Sequence, residues 1–210
     1  RPRSPSPGTT SPASNLLTTL PPRTCPAVGM TTKTNPTELQ PWAPPIYRVL
    51  KKWKVGQVGY VPDAGHRVLI DVCLADESLE TVVLTTEEEG VAMAAGAWLG
   101  GVRSVVLMQS SGIGNCINMF SMIRECGFPL LTVITMRGEN DEFNPWQIPM
   151  GDNAESHLKL CGFQVSRINQ AGEAESMMDQ AAGEVFGSCS MGAVLISQQL
   201  IGVKSFGHDH

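Results

Sequence analysis

Short, continuous apolar runs constrain the fold of this chain more than any other feature. They include LLTVITM at residues 130–136, SVVLM at residues 104–108 and AVLIS at residues 193–197. Strands that are apolar at successive positions are buried on both faces, as in parallel sheets covered by helices. Segments of helical length separate the runs. The pattern predicts an α/β fold, namely a flavodoxin-like three-layer sandwich with a mainly parallel sheet.

The order of predicted elements follows from these runs and from the helical patterns between them. Strands are predicted at residues 59–61, 81–84, 104–108, 130–136, 163–167 and 193–197. Helices are predicted at residues 46–55, 66–75, 87–99, 114–124, 154–161 and 173–186. Residues 137–151, rich in Pro, Asn and Gly, are interpreted as a long loop.

The first part of the chain differs in composition from the rest. Residues 1–45 hold eleven of the fifteen prolines and show no helical or strand periodicity. Such a segment buries too little apolar surface to offset the entropy lost on ordering. We therefore predict a disordered extension at residues 1–45, one domain at residues 46–205 and a short tail at residues 206–210.

Charge and cysteine content argue against several classes of function. The net charge is −5, which gives no basic footprint for nucleic acid, and no apolar run has transmembrane length. The six cysteines form no C-x-x-C pair, and no histidine stands at zinc-site spacing. We expect no metal site built by this chain alone. Buried free thiols in a reducing, cytoplasmic compartment are the simplest interpretation.

An acidic turn, Glu87-Glu88-Glu89, follows the predicted strand at residues 81–84. Acids in the first turn stabilise a helix through their interaction with its dipole, and Thr85 or Thr86 is suited to the N-cap position. Alternatively, one acid is buried in a contact that excludes water, because the helix that follows is rich in Ala and Gly and packs closely against its neighbours. The residues alone leave both interpretations open.

A glycine turn, QSSGIGN at residues 109–115, follows the strand at residues 104–108. Gly112 and Gly114 either permit a tight strand-to-helix turn with Ser111 as the cap, or let a ligand or partner approach bare backbone. A nicotinamide-binding fingerprint would need glycine at the position of Ile117, which argues against that class.

Together these segments resemble a known family. The order of elements is that of the pyrimidine-binding (PYR) domain of thiamine diphosphate enzymes. In that order a glutamate (here Glu87) is followed by eight residues, a glycine (here Gly96), a strand and a G-x-G turn. Three segments are most similar to the family of sulfopyruvate decarboxylase α subunits, namely TTEEEGVAMAAGAWLGG, LMQSSGIGNCIN and RGENDEFNPWQIPMG. Phosphonopyruvate decarboxylases are related to it. The resemblance covers residues 46–204.

The resemblance implies a role for each turn. In the family, a carboxyl group in a pocket that excludes water hydrogen-bonds the aminopyrimidine ring of the cofactor. By position, this catalytic, cofactor-binding residue is Glu87. Glu88 and Glu89 then remain first-turn or surface acids. The resemblance also places the glycine turn against the cofactor, through Gln109, Ser111, Gly112, Gly114 and Asn115.

The resemblance further implies a partner. In the family, Mg²⁺ and the diphosphate are held by a second domain with a G-D-G…N signature. Here Gly151-Asp152-Asn153 contains the one Gly-Asp pair and lacks the following glycine. We therefore expect a hetero-oligomer with a β subunit that carries the diphosphate-binding (PP) domain.

Substrate contacts are expected near two loops. Asp63, after Val61-Pro62, resembles a residue that faces the reaction space, and it is equally suited to cap the next helix. Arg137 binds an anionic substrate or forms a structural salt bridge. Asn144 and Gln147 stand where some pyruvate decarboxylases place a histidine pair.

The implied reaction is decarboxylation of a small anionic 2-oxo acid, such as 3-sulfopyruvate to sulfoacetaldehyde and CO₂. Two alternatives remain: a phosphonopyruvate decarboxylase-like subunit, and a non-catalytic PYR-like subunit that assembles or regulates a partner.

Overall fold

A computed structural model describes residues 40–140 and 142–202. Within them the strands are β1 Val55–Tyr60, β2 Glu80–Val83, β3 Arg103–Gln109, β4 Leu130–Thr135, β5 Gln164–Ile168 and β6 Met191–Ile196. The helices are α1 Ala43–Lys52, α2 Arg67–Leu74, α3 Glu87–Leu99, α4 Gly112–Cys126, α5 Ile148–Cys161, α6 Ala174–Ser188 and α7 Gln198–Ile201. Short 3-10 turns lie at Ala64–His66, Pro145–Gln147 and Ala171–Glu173.

The strands form one sheet in the order β2-β1-β3-β4-β6-β5, and every neighbouring pair is parallel. All positions of β4 and β6 are buried, as their continuous apolar sequences predict. The predicted flavodoxin-like α/β sandwich is confirmed.

Alternate residues of each central strand enter two different cores. Val105 and Leu107 of β3 face the core built with α1, α2 and α6. Val106 and Met108 of the same strand face the core built with α3, α4 and α5. Successive side chains of a strand point to opposite faces, so one apolar run serves both helical layers.

Strand order reverses between β1 and β3. The chain passes from β1 outward to β2, and then returns across β1 to β3. Helix α2 follows β1 on one face of the sheet, whereas α3 follows β2 on the other face. Such a switch point leaves a crevice at the carboxyl ends of the strands, where open α/β sheets bind ligands.

The folded region begins earlier than the sequence predicts. Trp42 and Ala43 are fully buried, and the Gln40 side chain donates to the Ala64 carbonyl and accepts from the Val68 amide. The predicted boundary at residue 46 is therefore too late. Pro44 lies in the first turn of α1, where the missing N–H is not needed. The predicted disorder of earlier residues, and the tail at residues 206–210, fall outside the described residues.

The predicted loop at residues 137–151 is also too long. A 3-10 turn begins at Pro145, and α5 begins at Ile148 rather than at residue 154. Pro149 occupies the first turn of α5, as Pro44 does in α1. In both places the prolines start a helix rather than extend the preceding loop.

The five described cysteines differ in burial, and Cys161 is half-buried. Cys73 and Cys116 are buried as predicted, and burial raises the pKa of each thiol to about 12. Cys126 and Cys189 are exposed, so the expectation of burial is wrong for them. Cys25 lies outside the described residues. Across the part of the chain that the structure describes, no helix has the length and apolar character needed to cross a membrane.

Candidate active site

Glu87 is the first residue of α3, and its side chain is buried at the carboxyl edge of the sheet. The Asn115 amide donates a hydrogen bond of 2.7 Å to Glu87 Oε2. Among the described residues, no group hydrogen-bonds Glu87 Oε1. The carboxylate is thus held at one oxygen and open at the other.

The neighbouring acids have different surroundings. Glu88 and Glu89 are exposed. Glu89 Oε2 accepts 2.8 Å hydrogen bonds from the Thr85 amide and hydroxyl, which lower the pKa of this carboxyl. Thr86 is the N-cap by position but makes no side-chain capping bond. The sequence allows the acids either to serve the helix or to be buried beside it. Glu89 bonds the Thr85 backbone at the helix start, whereas Glu87 is buried against Gly112 and Asn115.

Gly112 makes room for Glu87. A Cβ at this position would stand 2.5 Å from Glu87 Cγ and 2.7 Å from Glu87 Oε1, closer than real Cβ contacts. Neither Gly112 nor Gly114 has a positive φ, so a tight turn does not explain them. Ser111 makes no capping bond; its hydroxyl donates to Gln109 Oε1. The close approach that Gly112 permits is therefore that of the Glu87 side chain.

A second polar cluster joins the carboxyl ends of β1, β3 and β4. Asp63 Oδ1 accepts from the Gln109 amide at 3.1 Å, and Asp63 Oδ2 accepts from the Thr135 hydroxyl at 2.8 Å. Asp63 Oδ2 also caps the 3-10 turn by accepting from the Gly65 amide. Asp63 thus caps the 3-10 turn that leads into α2, rather than α2 itself as predicted in one alternative, and the same carboxylate fixes Gln109.

Gln147 completes this cluster. Its side-chain amide donates to Gln109 Oε1 at 3.1 Å, while its own Oε1 is buried without a hydrogen-bond partner among the described residues. Because Asp63 accepts, Gln109 must turn its NH₂ group toward Asp63 and its oxygen toward Gln147. Gln147 must then donate to that oxygen. Its free oxygen is thereby presented as an acceptor.

His66 lies behind the cluster and is fully buried. Its Nδ1 is 3.4 Å from the Thr135 hydroxyl, and its Nε2 has no partner within the described residues. The ring meets Trp42 edge-on, with 6.1 Å between the centroids. Sequence reasoning singled out neither His66, which follows Asp63 by three residues, nor Thr135, which contacts Asp63 from 72 positions away.

Arg137 forms a structural ion pair. Its Nε donates to Glu142 Oε2 at 2.7 Å, and its Nη2 donates to Glu142 Oε1. Both side chains are buried, with 6% and 1% of their surface exposed. Glu142 also accepts from the Gly138 and Asn144 amides. The Arg137 hydrogen bonds lower the pKa of Glu142 to about 2.

This ion pair anchors the loop that leads to Gln147. The Gln198 side chain adds a hydrogen bond to Glu142 at 3.0 Å, and the Asn144 carbonyl accepts from the Gln147 amide. Of the two roles predicted for Arg137, the salt bridge is present, and contact with substrate stays a prediction. Glu142 was not predicted as the partner of Arg137.

The predicted site residues thus fall into three adjoining groups. Glu87, Gly112 and Asn115 form the first; Asp63, Gln109, Ser111 and Gln147 form the second; Arg137 and Asn144 lie in the supporting loop. Gly114 lies beside Met150 of α5, whose Cε would be 3.7 Å from an added Cβ. In the described part of the chain, no cluster of three His, Cys, Asp or Glu side chains could hold a metal.

Comparison with known proteins identifies relatives that are similar to this chain in sequence. The α subunit of sulfopyruvate decarboxylase from Methanocaldococcus jannaschii is 33% identical over 142 residues, which are 67% of this chain and 84% of that subunit. The phosphonopyruvate decarboxylase of Streptomyces viridochromogenes is 35% identical over 118 residues, but only 29% of that protein is matched. No family model matches the chain.

A solved structure shares the fold. The 2-oxoglutarate:ferredoxin oxidoreductase from Magnetococcus marinus superposes with a TM-score of 0.61 over 76% of this chain and 29% of its own, at 14% identity. That likeness supports the sandwich architecture alone. The extent and identity of the match to the archaeal subunit go further: this chain belongs to the family of sulfopyruvate decarboxylase α subunits.

Proposed function

We propose that this chain is the PYR subunit of a thiamine diphosphate-dependent decarboxylase that converts 3-sulfopyruvate to sulfoacetaldehyde and CO₂. The observation that carries the proposal is Glu87, a buried carboxylate at the switch point of a parallel sheet with one oxygen unpartnered. The name of the M. jannaschii relative supports the choice of substrate. The free thiols of the described cysteines support a cytoplasmic location, which stays a prediction.

The residues present fit the aminopyrimidine half of the cofactor. When bound, thiamine diphosphate supplies the carbanion chemistry for decarboxylation. Glu87 Oε1 would hold a proton at the ring nitrogen, since Asn115 already fixes Oε2. In a dry site such a hydrogen bond is stronger than in water. Gly112 keeps the carboxylate close to the turn because no side chain displaces it.

The diphosphate half requires a partner in this proposal. Gly151 and Asp152 lie inside α5, where a Cβ on Gly151 would stand 2.0 Å from the Arg137 carbonyl oxygen. This Gly-Asp pair therefore serves helix packing rather than a phosphate-binding turn. A β subunit with a PP domain would supply Mg²⁺ and hold the diphosphate. The archaeal relative is itself named as one subunit of its enzyme.

The second cluster is suited to the substrate side. Gln147 offers a buried acceptor whose orientation is set through Gln109 by Asp63. A buried acceptor without a partner is costly, so a donor from substrate, cofactor or partner subunit would be bound favourably there. Asn144 lies three residues away, on a backbone held by Glu142. Substrate contact by Asp63, Arg137, Asn144 and Gln147 stays a prediction.

A non-catalytic assembly subunit is the alternative from another class. It would be favoured if Glu87 pointed to solvent or were neutralised by a local arginine. In the described part of the chain Glu87 is buried, and its partner is the neutral Asn115 amide. This geometry favours the catalytic interpretation.

The test is reconstitution with a PP-domain subunit, thiamine diphosphate and Mg²⁺, followed by measurement of CO₂ release from 3-sulfopyruvate and from phosphonopyruvate. We expect faster release from 3-sulfopyruvate. In Glu87→Gln we expect a loss of roughly a hundredfold or more in kcat, because the proton-sharing group is removed. Circular dichroism and thermal unfolding should show that this variant keeps its fold.

Glu88→Gln is the matched control, since it removes an exposed acid from the same helical turn. It should retain near-normal turnover. Near-normal turnover in Glu87→Gln would refute the assignment of Glu87. Preference for phosphonopyruvate would instead select the related decarboxylase activity.

A further inference from the structure

A separate cavity opens at the amino edge of the sheet, opposite the candidate active site. It has a volume of about 800 Å³ and lies between the end of α1, the start of β1, the end of α3 and the start of β3. Binding sites for small organic molecules typically span roughly 300–1,000 Å³. The cavity is therefore large enough for a ligand of nucleotide size.

More cationic than acidic side chains line this cavity. Lys52 pairs with Asp179 at 2.8 Å. Lys54 and Arg103 have no acidic partner among the described residues. The local charge is positive although the whole chain carries −5. Such a site attracts anions.

Arg103 is held rigidly in place. Its Nη1 donates to the Trp53 carbonyl at 2.7 Å, and its guanidinium carbon lies 5.7 Å from the Trp53 ring centroid and 5.2 Å from that of Phe186. These contacts fix the guanidinium without neutralising it. A preorganised, unneutralised arginine suits recognition of phosphate groups.

The backbone of Lys54 is unusual. Its φ of 53° lies in the left-handed region, which glycine adopts without strain. The chain nevertheless places a lysine there, and that side chain lines the cavity. Lys54 directly follows the C-cap of α1, where a left-handed residue commonly ends a helix, and Cys189 has the same conformation at the end of α6.

Two half-buried indole rings, Trp53 and Trp98, also line the cavity. Indole faces are suited to stacking against flat rings, and the cations are suited to phosphate. We propose that the cavity binds a nucleotide-class ligand, with its phosphate groups at Lys54 and Arg103 and its ring against Trp98. Helix α3 runs from Glu87 at one edge of the sheet to this cavity at the other.

The test is calorimetric titration of the purified full chain with ADP, adenosine and inorganic pyrophosphate. ADP should bind saturably and at least about tenfold more tightly than either fragment, because both parts of the ligand make contacts. Lys54→Gly should weaken ADP binding by roughly tenfold or more. Glycine relieves the strain at φ 53°, so this variant should unfold no more readily than the wild type.

Lys159→Gln is the matched control, because it removes a distant surface cation from α5. It should bind ADP as the wild type does. No saturable ADP binding at millimolar concentrations, equal binding by Lys54→Gly, or pyrophosphate binding as tight as that of ADP would overturn the proposal. The titration needs neither partner nor turnover, so its result is independent of the proposed decarboxylase activity.

Discussion

Gly112 and Gly96 belong to the same sequence pattern, yet their surroundings differ sharply. A Cβ on Gly112 would collide with the Glu87 side chain. A Cβ on Gly96 would meet nothing within 4 Å, and this residue is exposed on α3. Packing within the chain therefore requires a glycine at position 112. Among the described residues, no contact requires a glycine at position 96. A glycine inside a helix costs up to about 1 kcal/mol relative to alanine, so Gly96 calls for an explanation outside the chain.

The same contrast recurs in the loop after β4. Arg137 and Glu142 satisfy one another in the interior. A few residues later, Trp146 is 70% exposed and Gln147 Oε1 has no partner within the described residues. The interior ion pair completes the fold, whereas the exposed Trp146 ring and the buried but unpartnered Gln147 Oε1 are suited to contact with a partner or ligand.

The largest effect is expected at the interior ion pair. Arg137→Met leaves Glu142 buried without its cation, and breaking a buried pair typically costs about 3–5 kcal/mol. Urea unfolding should show this loss, and adding Glu142→Gln should recover part of it. Lys159→Met, which breaks an exposed pair, should cost less than about 1 kcal/mol. Equal losses in the two single variants would remove the distinction between interior and surface.

The same pair predicts a dependence on pH. The folded-state pKa of Glu142 is about 2, against its usual 4.5, so its stabilising contribution is fully present above pH 4.5. That contribution is lost as the pH falls from 4.5 toward 2. Wild type should therefore lose more unfolding free energy than Arg137→Met over this range. Parallel pH profiles for the two proteins would contradict the assignment.

Gly112→Ala is expected to have an intermediate effect. The added methyl group forces the Glu87 side chain to move, and overpacking of this kind typically costs about 1–3 kcal/mol. Turnover in the reconstituted enzyme should also fall, because the displaced carboxylate is the proposed proton-sharing group. A variant with unchanged stability and turnover would show that Glu87 is not confined by this glycine.

Gly96→Ala should have the smallest effect on the isolated chain, and of opposite sign. With space for the methyl group and better helix propensity, unfolding free energy should rise by up to about 1 kcal/mol. If a partner packs closely on Gly96, its affinity should drop by roughly tenfold or more in a binding titration. Unchanged affinity would show that the partner does not approach this position.

The central strands β3, β4 and β6 were predictable from local sequence because each contains a continuous apolar run. Two misplaced helix starts have one cause, since Pro44 and Pro149 begin helices rather than end them. The strand predicted at residues 59–61 also begins earlier, at Val55, where the sequence predicts the end of the first helix. Burial of Glu87, and not of Glu88, could not be derived from the turn itself. That choice came from the family resemblance, and the burial observed agrees with it.

The remaining site contacts join residues that lie far apart in the sequence. Gln109 and Asp63 are 46 positions apart, and Thr135 and Asp63 are 72 positions apart. The β1 and β3 ends meet only because the strand order reverses between them. Local periodicity carries no information on such pairs. Asn115 was predicted from the resemblance as a cofactor residue, but its contact within this chain is to Glu87.

The most direct test of the central claim is a crystal structure of this chain assembled with its PP-domain partner, thiamine diphosphate and Mg²⁺. We predict that Glu87 Oε1 lies about 2.6–3.2 Å from the aminopyrimidine ring nitrogen, with Asn115 still bonded to Oε2 and the diphosphate held by the partner. A cofactor bound with another acid at that nitrogen, or with Glu87 remote from the ring, would contradict the account.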